Sequence, residues 1–170
     1  RLKKGAIIRL PSKTEISREA GDLVAEQIGY ANVCFFEGAI EALDAVDAQG
    51  HPLVADSSID VVLSNCVLNL VNPSARQQLL QNIRRVLRPA GRVAISDIVC
   101  DRPVPMALQQ DAELWSGCIS GAWLEEAFLE DFRALGLEQV QYAERSETPW
   151  RVVEGIEFRA VTLTGALPSG

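Results

Sequence analysis

No apolar run in the 170 residues approaches the roughly 20 needed to cross a bilayer, and the first residues lack the apolar core and small-residue cleavage site of a secretory leader. Basic clustering is equally scarce, with nothing longer than Lys3-Lys4 in a chain of net charge −7. A nucleic-acid surface needs a positive stripe against phosphates, so the expected partner is a small molecule rather than nucleic acid or membrane. The cysteines, Cys34, Cys66, Cys100 and Cys118, include no CxxC pair, which removes zinc knuckles and thioredoxin-type redox chemistry. Free thiols in a cytoplasmic protein are the expectation. The single histidine, His51, precedes Pro52 with no partner cluster around it, and is assigned no chemistry.

What the chain does have is core: 48% hydrophobic against 23% charged residues, the profile of one domain spanning residues 1–170. It starts at Arg1 and enters a strand-like run almost at once, which reads as a fragment or truncated product. Ala6–Leu10 predicts a buried strand. Ser12 with Glu15 forms a capping-box pattern before Ile16, Ala20, Leu23, Val24 and Ile28 at helical spacing, with Gly29 as C-cap. Asn32–Phe36 predicts a second strand, and a loop runs from Gly38 to about Ser58. Ile59–Ser64 is apolar apart from Asp60, as in a parallel strand covered on both faces. Ser74 with Gln77 suggests the cap of a helix carrying Leu79, Leu80, Ile83, Val86 and Leu87, stopped by Pro89 and Gly91. Arg92–Val99 predicts another strand, Ala107–Cys118 a helical segment, and Leu124 to Leu135 a helix closed by Gly136. Strands near Gln139–Arg145 and Glu157–Leu163 follow without an intervening helix. Alternation that ends this way predicts an α/β fold, mostly parallel with an antiparallel last strand.

Two runs sharpen that expectation. Leu87-Arg88-Pro89-Ala90-Gly91-Arg92-Val93 is a common signature of class I, Rossmann-like methyltransferases. Ser64-Asn65-Cys66-Val67-Leu68-Asn69-Leu70 and Leu114-Trp115-Ser116-Gly117-Cys118-Ile119-Ser120-Gly121-Ala122 resemble the arsenite methyltransferases. The resemblance implies S-adenosylmethionine as cofactor and trivalent arsenic as substrate, with Cys66 and Cys118 as catalytic thiolates holding the arsenic. It further implies cofactor contacts from Ile40, as apolar cover for the adenine, and from Glu41, Ser64 and Asn65. Soft thiolates suit a thiophilic centre, and Cys66 stands at the carboxyl end of a strand, where open α/β sheets bind ligands. Unpaired cysteines otherwise act as small apolar fillers. That reading is preferred for Cys34 and, less strongly, for Cys100. For Asp97 and Asp101, surface or capping roles are preferred over positioning a substrate or a water; packing is preferred for Trp123 and Trp150, while Trp115 is balanced between packing and site.

The family pattern is also broken. None of the 12 glycines forms the GxGxG loop that brings backbone close to the cofactor. Pro11 falls where an acidic residue would take the ribose hydroxyls, and Ala39 replaces a polar contact. The fold's first strand, which belongs in the middle of the sheet, is missing from the pattern. Two unpaired edges would result, and homodimerisation or strand exchange is expected to cover them. The departures imply that methyl transfer needs a segment beyond these residues. They leave open a catalytically inactive, dimeric binding or scaffold module, and a small-molecule methyltransferase of the ubiquinone-pathway type shares the Leu-Arg-Pro-Ala-Gly run.

Overall fold

Periodicity becomes structure wherever the chain is described: the computed structural model covers residues 5–9, 26, 27, 29, 33–37, 39–46, 49–52 and 54–170. Contacts divide the chain into Arg1–Ala55 and Asp56–Gly170. In the first unit β1 (Gly5–Arg9) and β2 (Val33–Glu37) form a parallel ladder, Gly5 opposite Val33 and Arg9 opposite Glu37. Both strands fall within a residue of the expected runs. The helix expected from Ser12 and Glu15, and the Pro11 and Gly38 positions, lie outside the described residues. Gly29 has φ +78° and donates its N–H to Glu26 O at 3.1 Å, the left-handed backbone expected of a C-cap glycine. A 3-10 turn, Ile40–Ala42, follows β2, and a Val46–Pro52 bridge spans the loop that carries the exposed His51.

The second unit runs β3 (Ile59–Asn65), α1 (Arg76–Val86), β4 (Leu87–Cys100), α2 (Met106–Gln109), α3 (Ala112–Ser116), β5 (Trp123–Leu124), α4 (Glu125–Ala134), β6 (Glu138–Arg145), β7 (Arg151–Val153) and β8 (Ile156–Ala166). Its sheet has the order β3-β4-β8-β6, with β5 added to β4 and β7 to β8. β3 and β5 run parallel to β4. β8 lies antiparallel to both neighbours, from Arg92 opposite Ala166 to Cys100 opposite Phe158. This is the α/β sheet with an antiparallel last strand that the sequence implies. Trp123, Phe128 and Phe132 form its aromatic core, with successive ring centroids 5.4 and 5.3 Å apart, the separation at which tilted aromatic pairs attract.

Local chemistry explains where the elements depart from expectation. Asn72, rather than Ser74, opens the helical region: its Oδ1 accepts the Ser74 N–H at 3.0 Å, and a 3-10 turn, Pro73–Ala75, leads into α1. Proline at the first helical position sacrifices no hydrogen bond. Leu87 begins β4 instead of ending the helix. The ladder register then jumps from Ile59–Leu87 to Val61–Arg92, because Pro89 has no N–H to give and Ala90 takes φ +59°. The expected 107–118 helix is two short ones, since Asp111 caps α3 by accepting the Glu113 and Leu114 N–H groups, both at 2.9 Å. Strands β5 and β7 are too short to show in a period-2 pattern.

Candidate functional site

Two of the implied residues meet at the carboxyl end of β3. Cys66 follows Asn65, with its N–H on Ser96 O of β4 at 2.9 Å. Cys118 sits just beyond α3, and its thiol donates to Cys66 O at 3.4 Å. The two sulfurs and a carboxylate oxygen of Asp97 lie within 4.8 Å of one another. Cys66 is exposed, whereas Asp97 and Cys118 are 2% and 8% exposed, so the group has one open side. A cleft of about 320 Å³ leads to it, lined among others by Asn65, Cys66, Asp97, Glu144, Arg145 and Thr162.

Both cysteines adopt left-handed backbone, φ +53° at Cys66 and +61° at Cys118. For a residue with a Cβ this costs about 1–2 kcal/mol, and such outliers concentrate where function fixes a side chain. Cys118 also packs in an apolar cluster with Ile119 and Phe158, and Ser57, Ala90, Gln139 and Glu154 share the left-handed backbone.

Asn69 ties the parts together. Its Nδ2 donates to Ile98 O at 2.7 Å and to Cys118 O at 3.0 Å, and its own N–H reaches Asp97 Oδ2 at 3.3 Å. Gly121 packs so closely on Asn69 that an added Cβ would fall 1.8 Å from Asn69 O. Gly121 O in turn accepts from Arg76 Nη2 at 2.5 Å, and that guanidinium stands 4.0 Å from the centre of the Trp123 ring. A continuous set of contacts therefore runs from α1 to the Cys118 backbone.

Burial sets the electrostatics. It pushes the Cys118 thiol up to about 11, with Asp97 and Cys66 adding to the effect, and raises Cys66 in the same direction. Both sulfurs are thus protonated until a ligand displaces the protons. Burial also pushes the Asp97 carboxyl up to about 6, against backbone N–H bonds from Ile98, Asn69 and Leu68. Raised above its unfolded value, this acid lends stability in full below about pH 4 and loses it as pH rises through 6. Its ionised form costs on the order of 3 kcal/mol at neutral pH. Asp97→Asn is therefore expected to gain about that much on the parent between pH 4 and pH 7.5, measured by urea unfolding. A pH-independent difference would remove Asp97's ionisation as the cause.

The remaining assignments separate. Ser64 and Asn65 share the β3 end, Asn65 in the cleft. Ile40 and Glu41, half-buried, belong to the first unit. Cys100 is core: 1% exposed, its thiol donates to Trp123 O at 3.2 Å, and burial pushes it up to about 11. Asp101, as expected, stays at the surface and accepts the Glu157 N–H. Trp123 is packing, as expected, while Asp97 is the correction, because its place in β4 buries it beside both thiols. Asn69 is what sequence reasoning missed, and Asp97 is the residue it ranked as a surface carboxylate ahead of a site role. The signal for Asn69, a lone amide inside the apolar Val67–Val71 run, was there to be used.

A family model described as a methyltransferase domain matches residues 12–147. An arsenite methyltransferase of Halobacterium salinarum is 42% identical over 103 residues, which are 58% of this chain and 25% of that protein. An arsenite methyltransferase of Homo sapiens is 35% identical over 121 residues, 69% of this chain and 30% of that protein. The crystal structure of an arsenic(III) S-adenosylmethionine methyltransferase from Chlamydomonas reinhardtii superposes with a TM-score of 0.76 at 25% identity, over 98% of this chain and 56% of that one. The chain thus spans 25–30% of the length of these curated relatives.

Proposed function

Because the chain belongs to the methyltransferase-domain family, and within class I resembles the arsenite methyltransferases, we propose that it carries the arsenic-holding part of an S-adenosylmethionine-dependent arsenite methyltransferase. The observation that carries this reading is that the sulfurs of Cys66 and Cys118 lie within 4.8 Å of each other, with Cys66 lining an open cleft. Capture exchanges ligands: each thiol forms an As–S bond while an As–O bond breaks, and its proton leaves with the hydroxide as water. Arsenite is then held through two sulfurs and keeps one hydroxyl. Asn69 fixes the Cys118 main chain while this happens. Methyl transfer to a soft lone pair needs placement more than acid–base help, which suits a site of sulfurs on rigid strand ends.

S-adenosylmethionine is the methyl donor of this family. By the resemblance, Ile40 would give apolar cover to the adenine, and Glu41, Ser64 and Asn65 would give polar contacts. Ser64 and Asn65 stand at the carboxyl end of β3, and no step is derived through the cofactor. Pro11 and Ala39, which stand where the resemblance implies an acidic and a polar cofactor contact, favour a second reading, a binding module that holds arsenic or another small ligand without transferring a methyl group. Self-association fits either reading. β3 is the end strand of its sheet and Leu63 on it is 74% exposed; a clean monomer in sedimentation equilibrium at high concentration would contradict it. Among the described residues no helix is long and apolar enough to cross a membrane.

The test is calorimetric titration with arsenite and with S-adenosylmethionine in a phosphine reductant. Arsenite is expected to bind once per chain and to lose that binding in Cys66→Ser and in Cys118→Ser. Donor binding without arsenite binding would overturn the reading, and so would arsenite binding that survives both substitutions.

A further inference from the structure

The third member of the cluster has the wrong chemistry for arsenic and the right chemistry for something else. Trivalent arsenic takes three ligands and keeps a lone pair, and as a soft centre it favours three sulfurs. Here the third corner is an oxygen of Asp97. Its carboxylate is held in place: Oδ1 accepts the Ile98 N–H at 2.9 Å and Oδ2 the Asn69 N–H at 3.3 Å. The hydrogen bonds therefore orient a buried anion towards two thiols, with solvent on the Cys66 side.

Two sulfurs and one carboxylate oxygen, with a fourth position open, match the tetrahedral habit of a borderline-soft divalent ion. In such a site the sulfurs stand about 3.8 Å apart, given Zn–S bonds of about 2.3 Å. The donor atoms already lie within 4.8 Å of one another, and binding would draw the sulfurs together through the exposed Cys66 side chain. Charge agrees as well, because two thiolates and a carboxylate sum to three negative charges, which a divalent ion lowers to one.

We propose that Cys66, Asp97 and Cys118 form a mixed thiolate–carboxylate site for Zn²⁺ or Cd²⁺, with water in the fourth position, and that this ion competes with trivalent arsenic for the same two sulfurs. The ion displaces the two thiol protons, which pass to solvent; no electron changes hands. The proposal rests on the arsenic reading only for the competition, since the site itself follows from the donor set.

The probe is Cd²⁺ alone, added to the reduced chain under anaerobic conditions and followed by the ultraviolet thiolate-to-cadmium charge-transfer band. One Cd²⁺ per chain is expected, the band disappearing in Cys66→Ser and in Cys118→Ser. Asp97→Asn should weaken Cd²⁺ at least about tenfold and weaken arsenite much less. Equal losses for both would make Asp97 merely structural, and no loss for either would remove it from the site; each overturns the proposal. Arsenite binding without Cd²⁺ binding also sinks it and leaves the arsenic reading standing, whereas Cd²⁺ binding without arsenite does the reverse. X-ray absorption of the Zn²⁺-loaded parent chain needs no variant. Two sulfur and two oxygen neighbours are expected, and three or more sulfurs, or none, would contradict the assignment.

Discussion

Cys66→Gly is expected to abolish capture of trivalent arsenic while leaving the chain as stable as the parent to within about 1 kcal/mol. The two halves of that result have separate causes. Losing one of two sulfurs turns a chelate into a single bond, and the lost effective concentration is worth about a hundredfold or more in affinity. Stability barely moves because Cys66 is exposed and its φ of +53° is backbone that glycine adopts without the Cβ penalty. That relief offsets the extra entropy glycine loses on folding. A cysteine present only as filler would behave in the opposite way, losing stability and leaving arsenic binding intact. Urea unfolding paired with arsenite titration separates the two.

Gly121→Ala carries the largest expected cost in stability. The added methyl would sit 1.8 Å from Asn69 O and 2.9 Å from its carbonyl carbon, and the obstacle is backbone, which no rotamer change moves. Overpacking of this kind costs about 3 kcal/mol or more. The displacement falls on the residue whose amide holds Ile98 O and Cys118 O, so arsenite affinity should fall along with the melting temperature. Gly117→Ala is the matched control, because its Cβ would meet nothing nearer than 3.6 Å. Equal behaviour of the two would mean that the Gly121–Asn69 contact is not what holds the Cys118 segment.

Much of this was legible in the residues. Strand and helix order followed from apolar periodicity: α1 appears where Leu79, Leu80, Ile83 and Val86 recur, and all four are buried. The thiol pair followed from the Ser-Asn-Cys and Trp-Ser-Gly-Cys runs. What stayed hidden depends on register and backbone angle, which a linear pattern does not encode. Asp97 reads as a surface carboxylate because its neighbours in sequence do not reveal that β4 lies between β3 and β8. The strained φ angles at Cys66 and Cys118 arise from how their turns close, and the closeness of Gly121 to Asn69 from packing between segments far apart in the chain. Helix caps were misplaced for a related reason: Asn72 and Ser74 are both good caps, and Pro73 between them decides.

The central claim is that Cys66 and Cys118 act on one arsenic atom together. An aryl arsenic(III) oxide tests it most directly, since a neighbouring pair of thiols displaces its oxygen as water and forms two As–S bonds. Intact mass measurement is expected to show one such adduct per chain in the parent, in Cys34→Ser and in Cys100→Ser, and none in Cys66→Ser or Cys118→Ser. An adduct that survives loss of either Cys66 or Cys118 would contradict the account.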